Sequence, residues 1–212
     1  MVEVGIQAIF IIAIMGATIG AMLAIQGIYA LRLFGAESRV VIGIALSTVR
    51  EFAPLITAIM VAARSGSGLA ARIGTMKINE ELDALNVMGI NPIRFLVVPA
   101  LLAMIVMVPA LTILSMYIGL YSAGIYVQWE LGLSMTAFTR DVVNILSVDD
   151  LMHGLGKSLI FAVLIAIIGV VNGASVKGGA EGVGRATTHA VVQSIAAIVI
   201  TDMIFALVVT RI

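Results

Sequence analysis

The chain has 212 residues, of which 61% are hydrophobic and only 11% are charged. Soluble domains usually carry about 25% charged residues, so this chain has too little charge to cover a water-facing surface. Its formal net charge of zero disfavours a nucleic-acid partner, and the lack of cysteine excludes disulfides and thiolate chemistry. The composition therefore predicts an all-α integral membrane protein.

Five segments are apolar enough to span a bilayer, whose core needs about 20 apolar residues per helix. The predicted spans are residues 4–31, 40–63, 95–127, 158–176 and 186–210. No basic residue precedes the first span, which is also longer than a signal-peptide core, so we interpret it as retained. We predict a single transmembrane domain over residues 1–212, built as a bundle of about five transmembrane helices.

A polar segment between the second and third spans has helical periodicity. Within residues 75–88, Ile78, Leu82 and Leu85 share one face, and Gly89 can end the helix. The acidic residues face elsewhere: Glu80, Glu81 and Asp83. The segment is either a solvated connector or a helix that docks a soluble partner. A second short amphipathic helix is indicated by Phe138, Val142, Ile145 and Leu146.

Charge does not determine which way the predicted spans cross. The loops 64–94 and 177–185 share one side with six basic residues, and the other side has five. Basic residues are expected in excess on the cytoplasmic side, and this difference is too small to indicate that side.

Arg50 and Glu51 interrupt the second span, where each charge costs about 2.5–3.5 kcal/mol at mid-membrane. Adjacent residues on a helix do not face each other, so the two need separate partners, a wet cavity or a lipid headgroup. This pattern favours a substrate cavity lined by the second span. Alternatively, the span consists of two shorter pieces with the charges near an interface. Asp202, inside the last span, is expected to make a polar contact within the bundle.

Several other residues have structural interpretations. The pairs Gly16/Gly20 and Gly169/Gly173 fit close helix packing, although such pairs also arise by chance in glycine-rich spans. Lys157 is interpreted as an anchor at the membrane interface.

A catalytic or metal site finds little support. An intramembrane serine enzyme using Ser67 would need a base within hydrogen-bond reach, and His153 and His189 are more often ordinary loop or span-end residues. Two histidines without cysteine disfavour a dedicated metal site. No catalytic residue, metal or cofactor is predicted.

Six motifs follow one another along the chain. They are Arg50-Glu51-Phe52-Ala53-Pro54-Leu55-Ile56-Thr57-Ala58, Ala63-Arg64-Ser65-Gly66-Ser67-Gly68, Ile73-Gly74-Thr75-Met76, Glu80-Glu81-Leu82-Asp83-Ala84-Leu85, Met88-Gly89-Ile90-Asn91-Pro92 and Gly184-Arg185-Ala186-Thr187-Thr188. In this order they resemble the signature of MlaE-type permeases, and the resemblance covers essentially the whole chain.

The resemblance implies the membrane subunit of an ATP-binding-cassette (ABC) transporter for phospholipids or related lipids, in the cytoplasmic (inner) membrane. Such permeases form homodimers and work with a cytoplasmic ABC ATPase, an MCE-type substrate-binding protein and, optionally, a small accessory regulatory subunit. The chain itself would not be an enzyme, because ATP hydrolysis would occur in a partner chain.

The resemblance also implies two sets of site residues. Lipid would bind at the dimer interface against Arg50, Glu51, Ile25, Gln26 and Ile28. The segment 75–88 would be a cytoplasmic coupling helix that contacts the ATPase through Glu80, Glu81, Leu82, Leu85 and Met88.

Two other functions remain open at this level. An ion-coupled secondary transporter would be expected to show internal repeats and broken helices, and no repeat is visible in the sequence. A non-transporting scaffold would only tether the ATPase to the outer lipid-binding protein.

Overall fold

The structure, a computed structural model, describes residues 7–209, with side chains from 8 to 208. This part of the chain is helical and contains no strand. Residues 4–6 and 210 of the predicted first and last spans lie outside the described residues.

The helices follow one another with short connections. They are α1 (Gln7–Arg32), α2 (Val40–Ser47), α3 (Ala53–Val61), α4 (Ser67–Ile78), α5 (Glu81–Val87), α6 (Val98–Leu131), α7 (Met135–Ile145), α8 (Val148–Ala174) and α9 (Gly179–Val209). A 3-10 turn, Glu37–Arg39, precedes α2, and the π turns Thr48–Phe52, Ala62–Gly66 and Ile93–Val97 precede α3, α4 and α6.

By length and composition, five helical segments can cross a membrane. They are Ala8–Arg32, Glu37–Ile78, Ile93–Leu131, Val148–Ala174 and Gly179–Val208. The prediction of an all-α protein with about five spans is therefore confirmed. The last four segments are longer than predicted, because the helices continue through charged residues that the sequence alone assigns to loops. The fifth, for example, begins at Gly179, inside the predicted loop 177–185.

The described residues form two compact units. The first unit comprises Ile9–Thr57 and Pro109–Ser158; the second comprises residues 7–8, 58–108 and 159–209. The prediction of one permease domain stays a prediction.

The first unit is held together by an apolar cluster and by close backbone contact. Phe138 and Val142 of α7 are buried in the cluster, which confirms the predicted amphipathic helix. A Cβ at Gly20 of α1 would lie only 2.0 Å from the carbonyl oxygen of Gly119 on α6. The α1–α6 contact therefore requires glycine at position 20, as the Gly16/Gly20 pair indicates.

In the second unit, α4 and α8 approach through small residues. A Cβ at Gly173 would lie 2.8 Å from the carbonyl oxygen of Ala70, and one at Gly169 would lie 3.0 Å from that of Gly66. This is the close packing that the Gly169/Gly173 pair predicts. Lys77 donates to the carbonyl oxygen of Ala174, the last residue of α8, and so satisfies an acceptor that has no partner within its own helix.

The segment 75–88, predicted as one helix, consists of two. Helix α4 ends at Ile78, and Glu80 adopts a left-handed conformation with φ 58° before α5 begins. The Glu80 N–H donates to the carbonyl oxygen of Lys77, a bond typical of a helix end. The apolar periodicity continues across this break, which is why the sequence pattern does not reveal it. Gly89, with φ 75°, ends the segment as predicted.

Candidate functional site

Arg50 and Glu51 lie in the π turn between α2 and α3, and each has its own partner on α8. The Nε atom of Arg50 is 2.6 Å from Oδ1 of Asp150, and Lys157 Nζ donates to Oε2 of Glu51 at 2.6 Å. The sequence-based expectation that the adjacent charges need separate partners thus describes the arrangement correctly.

The sequence of α8 explains how one helix supplies both partners. Asp150 and Lys157 are seven residues, about two turns, apart and therefore lie on one face of the helix. Gly154 lies between them, and a Cβ there would be 2.4 Å from the carbonyl oxygen of Val49. The missing side chain lets α8 approach the π turn closely enough for both ion pairs to form.

In each ion pair, the residue on α8 is more buried than its partner in the π turn. The Lys157 side chain is fully buried and that of Asp150 almost so, whereas the side chains of Arg50 and Glu51 are each 38% exposed. The interpretation of Lys157 as an interfacial anchor is therefore wrong: its ammonium group is buried and pairs with the Glu51 carboxylate. Asp150 Oδ2 also accepts hydrogen bonds from the Ser147 N–H and hydroxyl, both at 2.8 Å.

This geometry keeps two opposite charges inside an apolar span and partly accessible. Asp150 and Lys157 compensate the charges from the protein side, and the exposed portions of Arg50 and Glu51 can meet a polar ligand group. Sequence analysis missed Asp150 and Lys157 as partners. Their seven-residue spacing is a signal that could have identified a shared helix face.

The α1 residues predicted for lipid contact differ in position. Ile25 and Gln26 are exposed. Ile28 is buried in the apolar cluster of the first unit, so the prediction that it lines a lipid site does not fit its position. It points inward because it packs with the buried residues of α2 and α6, such as Val40 and Val127.

The predicted coupling residues divide in a similar way. Glu80 and Glu81 are exposed, Leu82 is half-buried and Met88 is 64% exposed. Leu85 is buried, so it anchors α5 within the second unit and does not offer a docking contact.

Val87, which the sequence analysis did not single out, is 88% exposed. With the neighbouring Met88 it forms an apolar surface at the end of α5. The sequence feature that could have identified this surface is the presence of apolar residues in an otherwise acidic segment.

A helical chain with five segments able to cross a membrane, and with ion pairs inside them, is a multi-pass membrane protein. The family model described as Permease MlaE matches residues 1–208. The chain belongs to the MlaE permease family, as the resemblance predicts.

Relatives in three organisms agree with this assignment. The chain is 40% identical over 200 residues to a probable ABC transporter permease protein of Synechocystis sp., covering 94% of this chain and 76% of that protein. It is 35% identical over 192 residues to the intermembrane phospholipid transport system permease protein MlaE of Haemophilus influenzae, covering 90% and 73%. It is 36% identical over 161 residues to the chloroplastic protein TRIGALACTOSYLDIACYLGLYCEROL 1 of Arabidopsis thaliana, covering 76% and 46%.

Proposed function

We propose that this chain is the membrane permease subunit of an ABC transporter that moves phospholipids between the inner membrane and the outer envelope. Family membership supports the permease role. The names of the relatives in Synechocystis and Haemophilus support the ABC machinery and the phospholipid substrate. In this proposal two copies form a homodimer, a separate cytoplasmic subunit hydrolyses ATP, and an MCE-type protein exchanges lipid on the outer side.

The observation that carries the substrate proposal is the half-exposed pair of charges in the second span. A phospholipid phosphate is an acceptor for the Arg50 guanidinium, since charge-assisted hydrogen bonds are the stronger class. A cationic headgroup, where the lipid has one, would meet Glu51. Exposed Ile25 and Gln26 on α1 belong to the same proposed lipid surface, with Ile25 against an acyl chain.

The coupling proposal rests on α5. Its exposed acids, Glu80 and Glu81, and its exposed apolar end, Val87 and Met88, together offer charge and apolar area to a soluble partner. Buried Leu85 and the helix break at Glu80 support a separately oriented element. We therefore assign the ATPase contact to α5 and its flanking turns, in place of a continuous helix over 75–88.

The intramembrane-enzyme alternative loses support from the local geometry of its nucleophile. The Ser67 hydroxyl donates to the backbone carbonyl oxygens of Ala63 at 2.6 Å and Arg64 at 3.0 Å. A hydroxyl donating to its own helix is not aligned with a general base.

The test is lipid movement by the assembled complex. The chain, co-expressed with its ATPase and substrate-binding partners, is purified and reconstituted into vesicles that contain a fluorescent phospholipid. We expect movement with ATP and none with a non-hydrolysable analogue. Movement that persists without the ATPase would favour the ion-coupled transporter, and assembly without lipid binding or movement would favour the scaffold.

The Arg50→Ala variant tests the substrate contact within the same assay. We expect bound and transported phospholipid to fall by about tenfold, because one charge-assisted contact contributes roughly 1.5–3 kcal/mol. Arg140→Ala, which removes an exposed arginine from α7 of the same unit, is the matched control and should leave transport unchanged. Wild-type transport by Arg50→Ala would remove Arg50 from the lipid site.

A further inference from the structure

The first unit contains an open groove of about 350 Å³ between α1 and the C-terminal half of α6. Ala17 and Ala21 form its floor on α1. Larger side chains line it on α6, namely Ile118, Tyr121, Ile125 and Trp129. The lining residues that the structure describes do not include those assigned to transport. The volume is at the lower end of the range of about 300–1,000 Å³ for ligand pockets, so the groove suits a slender ligand.

The length of α1 places the floor of the groove near the centre of the bilayer. Residues 8–31 carry no charge and are about 36 Å long at 1.5 Å per residue, whereas the hydrocarbon core is about 30 Å thick. Ala17 and Ala21 lie 15 and 11 residues before Arg32, or about 22 and 16 Å. Because the charge-free part exceeds the core by only about 6 Å, the helix cannot shift far enough to bring either alanine out of the core.

The mouth of the groove lies where the charged residues begin. Gly20 of α1 meets Gly119 of α6 in the close contact described above. Further along, Nη2 of Arg32 is 3.0 Å from Oε1 of Glu130, so the two helices run side by side to this end. Trp129 precedes Glu130 and is 84% exposed, and tryptophan at the end of a span is typical of the membrane–water interface. The groove therefore extends from the interface to the centre of the bilayer, which is the depth of a single leaflet.

This depth favours a lipid chain over a helix of a partner protein. A partner helix crosses both leaflets and needs about 20 residues to do so, whereas an acyl chain occupies one leaflet. The hydroxyl at the floor of the groove is also already satisfied, because Ser122 donates to the carbonyl oxygen of Ala17 at 2.7 Å. The floor therefore needs no polar partner, which fits a hydrocarbon ligand.

The charges at the mouth indicate the kind of headgroup. Arg32 bonds Oε1 of Glu37 and Oε1 of Glu130, each at 3.0 Å, and these bonds leave the second oxygen of each carboxylate unused. The exposed Arg39 ends the 3-10 turn that contains Glu37. The mouth thus carries two charges of each sign, which matches a zwitterionic headgroup better than an anionic one. A primary ammonium can donate to the carboxylate oxygens and lie against the exposed ring of Trp129, as cations do on indole faces.

We propose that the groove holds an acyl chain of a resident phospholipid with a primary ammonium headgroup, such as phosphatidylethanolamine. Its ammonium lies against the carboxylates of Glu37 and Glu130, and its phosphate lies towards Arg39. This lipid is distinct from the transported one, and the proposal stands whether or not the proposed function is correct.

Trp129 is the only tryptophan of the chain, so its fluorescence reports the surroundings of the mouth. The full complex is reconstituted in vesicles of phosphatidylethanolamine brominated on one acyl chain, and the difference between wild type and Trp129→Phe isolates the emission. We expect strong quenching by bromine near the headgroup end of the chain and weak quenching by aqueous acrylamide. Quenching by acrylamide alone would place the mouth in water, and resistance to both quenchers would indicate a protein segment over it. Either result overturns the proposal.

Native mass spectrometry of the complex tests the identity of the lipid and the use of the groove. The complex is released from nanodiscs with equal amounts of phosphatidylethanolamine, phosphatidylcholine and phosphatidylglycerol. We expect the wild type to retain phosphatidylethanolamine about threefold more than the other two, which is the scale of a partly exposed ion pair. Ala21→Leu should fill the groove and abolish this retention. Ala30→Leu, at an exposed position of α1 that does not line the groove, is the matched control and should retain the lipid.

The charges at the mouth are tested by the double variant Glu37→Gln/Glu130→Gln. We expect its preference to shift to phosphatidylglycerol, because Arg32 then keeps its charge without the two carboxylates. Asp149→Asn, which removes an exposed acid elsewhere in the same unit, should keep the wild-type preference.

Three results of this measurement would overturn the proposal. They are equal retention of the three lipids by the wild type, unchanged retention in Ala21→Leu, and an unchanged preference in the double glutamate variant. Loss of the same lipid in Arg50→Ala would identify it as the transported substrate instead. Melting temperatures of the variants in detergent separate loss of the site from loss of the fold, and if Ala21→Leu is unstable the double glutamate variant decides.

Discussion

At the scale of single residues, the ion pair between Lys157 and Glu51 shows why a charge can remain in an apolar span. The Lys157 ammonium group is completely buried, and the Glu51 carboxylate 2.6 Å away compensates its charge. Removing one partner of a buried pair is strongly destabilising, whereas replacing both with neutral groups of similar size is often tolerated.

This difference predicts the behaviour of three variants. Glu51→Gln should lower the free energy of unfolding by about 3 kcal/mol, because Lys157 keeps its buried charge and loses the carboxylate that compensates it. Lys157→Met should cost less, since the Glu51 side chain that remains is 38% exposed. The double variant should be more stable than Glu51→Gln. Thermal unfolding in detergent gives the order of stability.

Asp149→Asn provides the control for this comparison, because Asp149 is an exposed acid in the first turn of the same helix. Its melting temperature should match that of the wild type. A Glu51→Gln protein that melts at the wild-type temperature would show that the pair contributes nothing to stability.

At the scale of helices, packing depends on positions where no side chain fits. Alanine at Gly20 would bring its Cβ to 2.0 Å from the Gly119 carbonyl oxygen, so α1 and α6 would have to separate. We predict that Gly20→Ala lowers the melting temperature and the yield of folded protein. Gly43→Ala has open space around its Cβ and should be neutral, or stabilising by up to about 1 kcal/mol through helix propensity. Equal melting temperatures for the two variants would contradict the close contact.

Helix α5 carries a functional prediction at the same scale. Glu81→Lys should reduce co-purification of the ATPase, because it reverses a charge on the exposed face that we assign to docking. Asp149→Lys is the matched control: it also reverses an exposed acid in the first turn of a helix, but on a segment predicted to lie on the other side of the membrane. Undiminished co-purification and ATPase activity with Glu81→Lys would argue against docking at α5.

At the scale of the whole molecule, the five spans require the connections to alternate between the two sides of the membrane. The chain contains no cysteine, so any introduced cysteine is a unique label. Asn86 on α5 and Asn144 on α7 are both exposed. We predict that a membrane-impermeant thiol reagent modifies Asn144→Cys in intact spheroplasts and Asn86→Cys only after lysis. Labelling of Asn86→Cys from outside would invalidate the coupling proposal, while the membrane location would stand.

The class of protein was determined by the sequence alone. Apolar content and the length of charge-free segments predict five spans, because transfer into a bilayer depends on local composition. Regular spacing was also sufficient to predict the amphipathic helix α7 and the close packing at the glycine pairs 16/20 and 169/173, since a helix places residues three and four apart on one face.

Only the tertiary structure decided which charges meet and which apolar residues are covered. Glu51 and Lys157 are separated by 106 positions, and no local pattern links them. For the same reason the resemblance placed Ile28 and Leu85 at binding surfaces, whereas both are buried, Ile28 by residues of α2 and α6 that are distant in the sequence. Periodicity specifies the face on which a residue lies. What covers that face depends on the free energy of long-range packing, which local sequence does not contain.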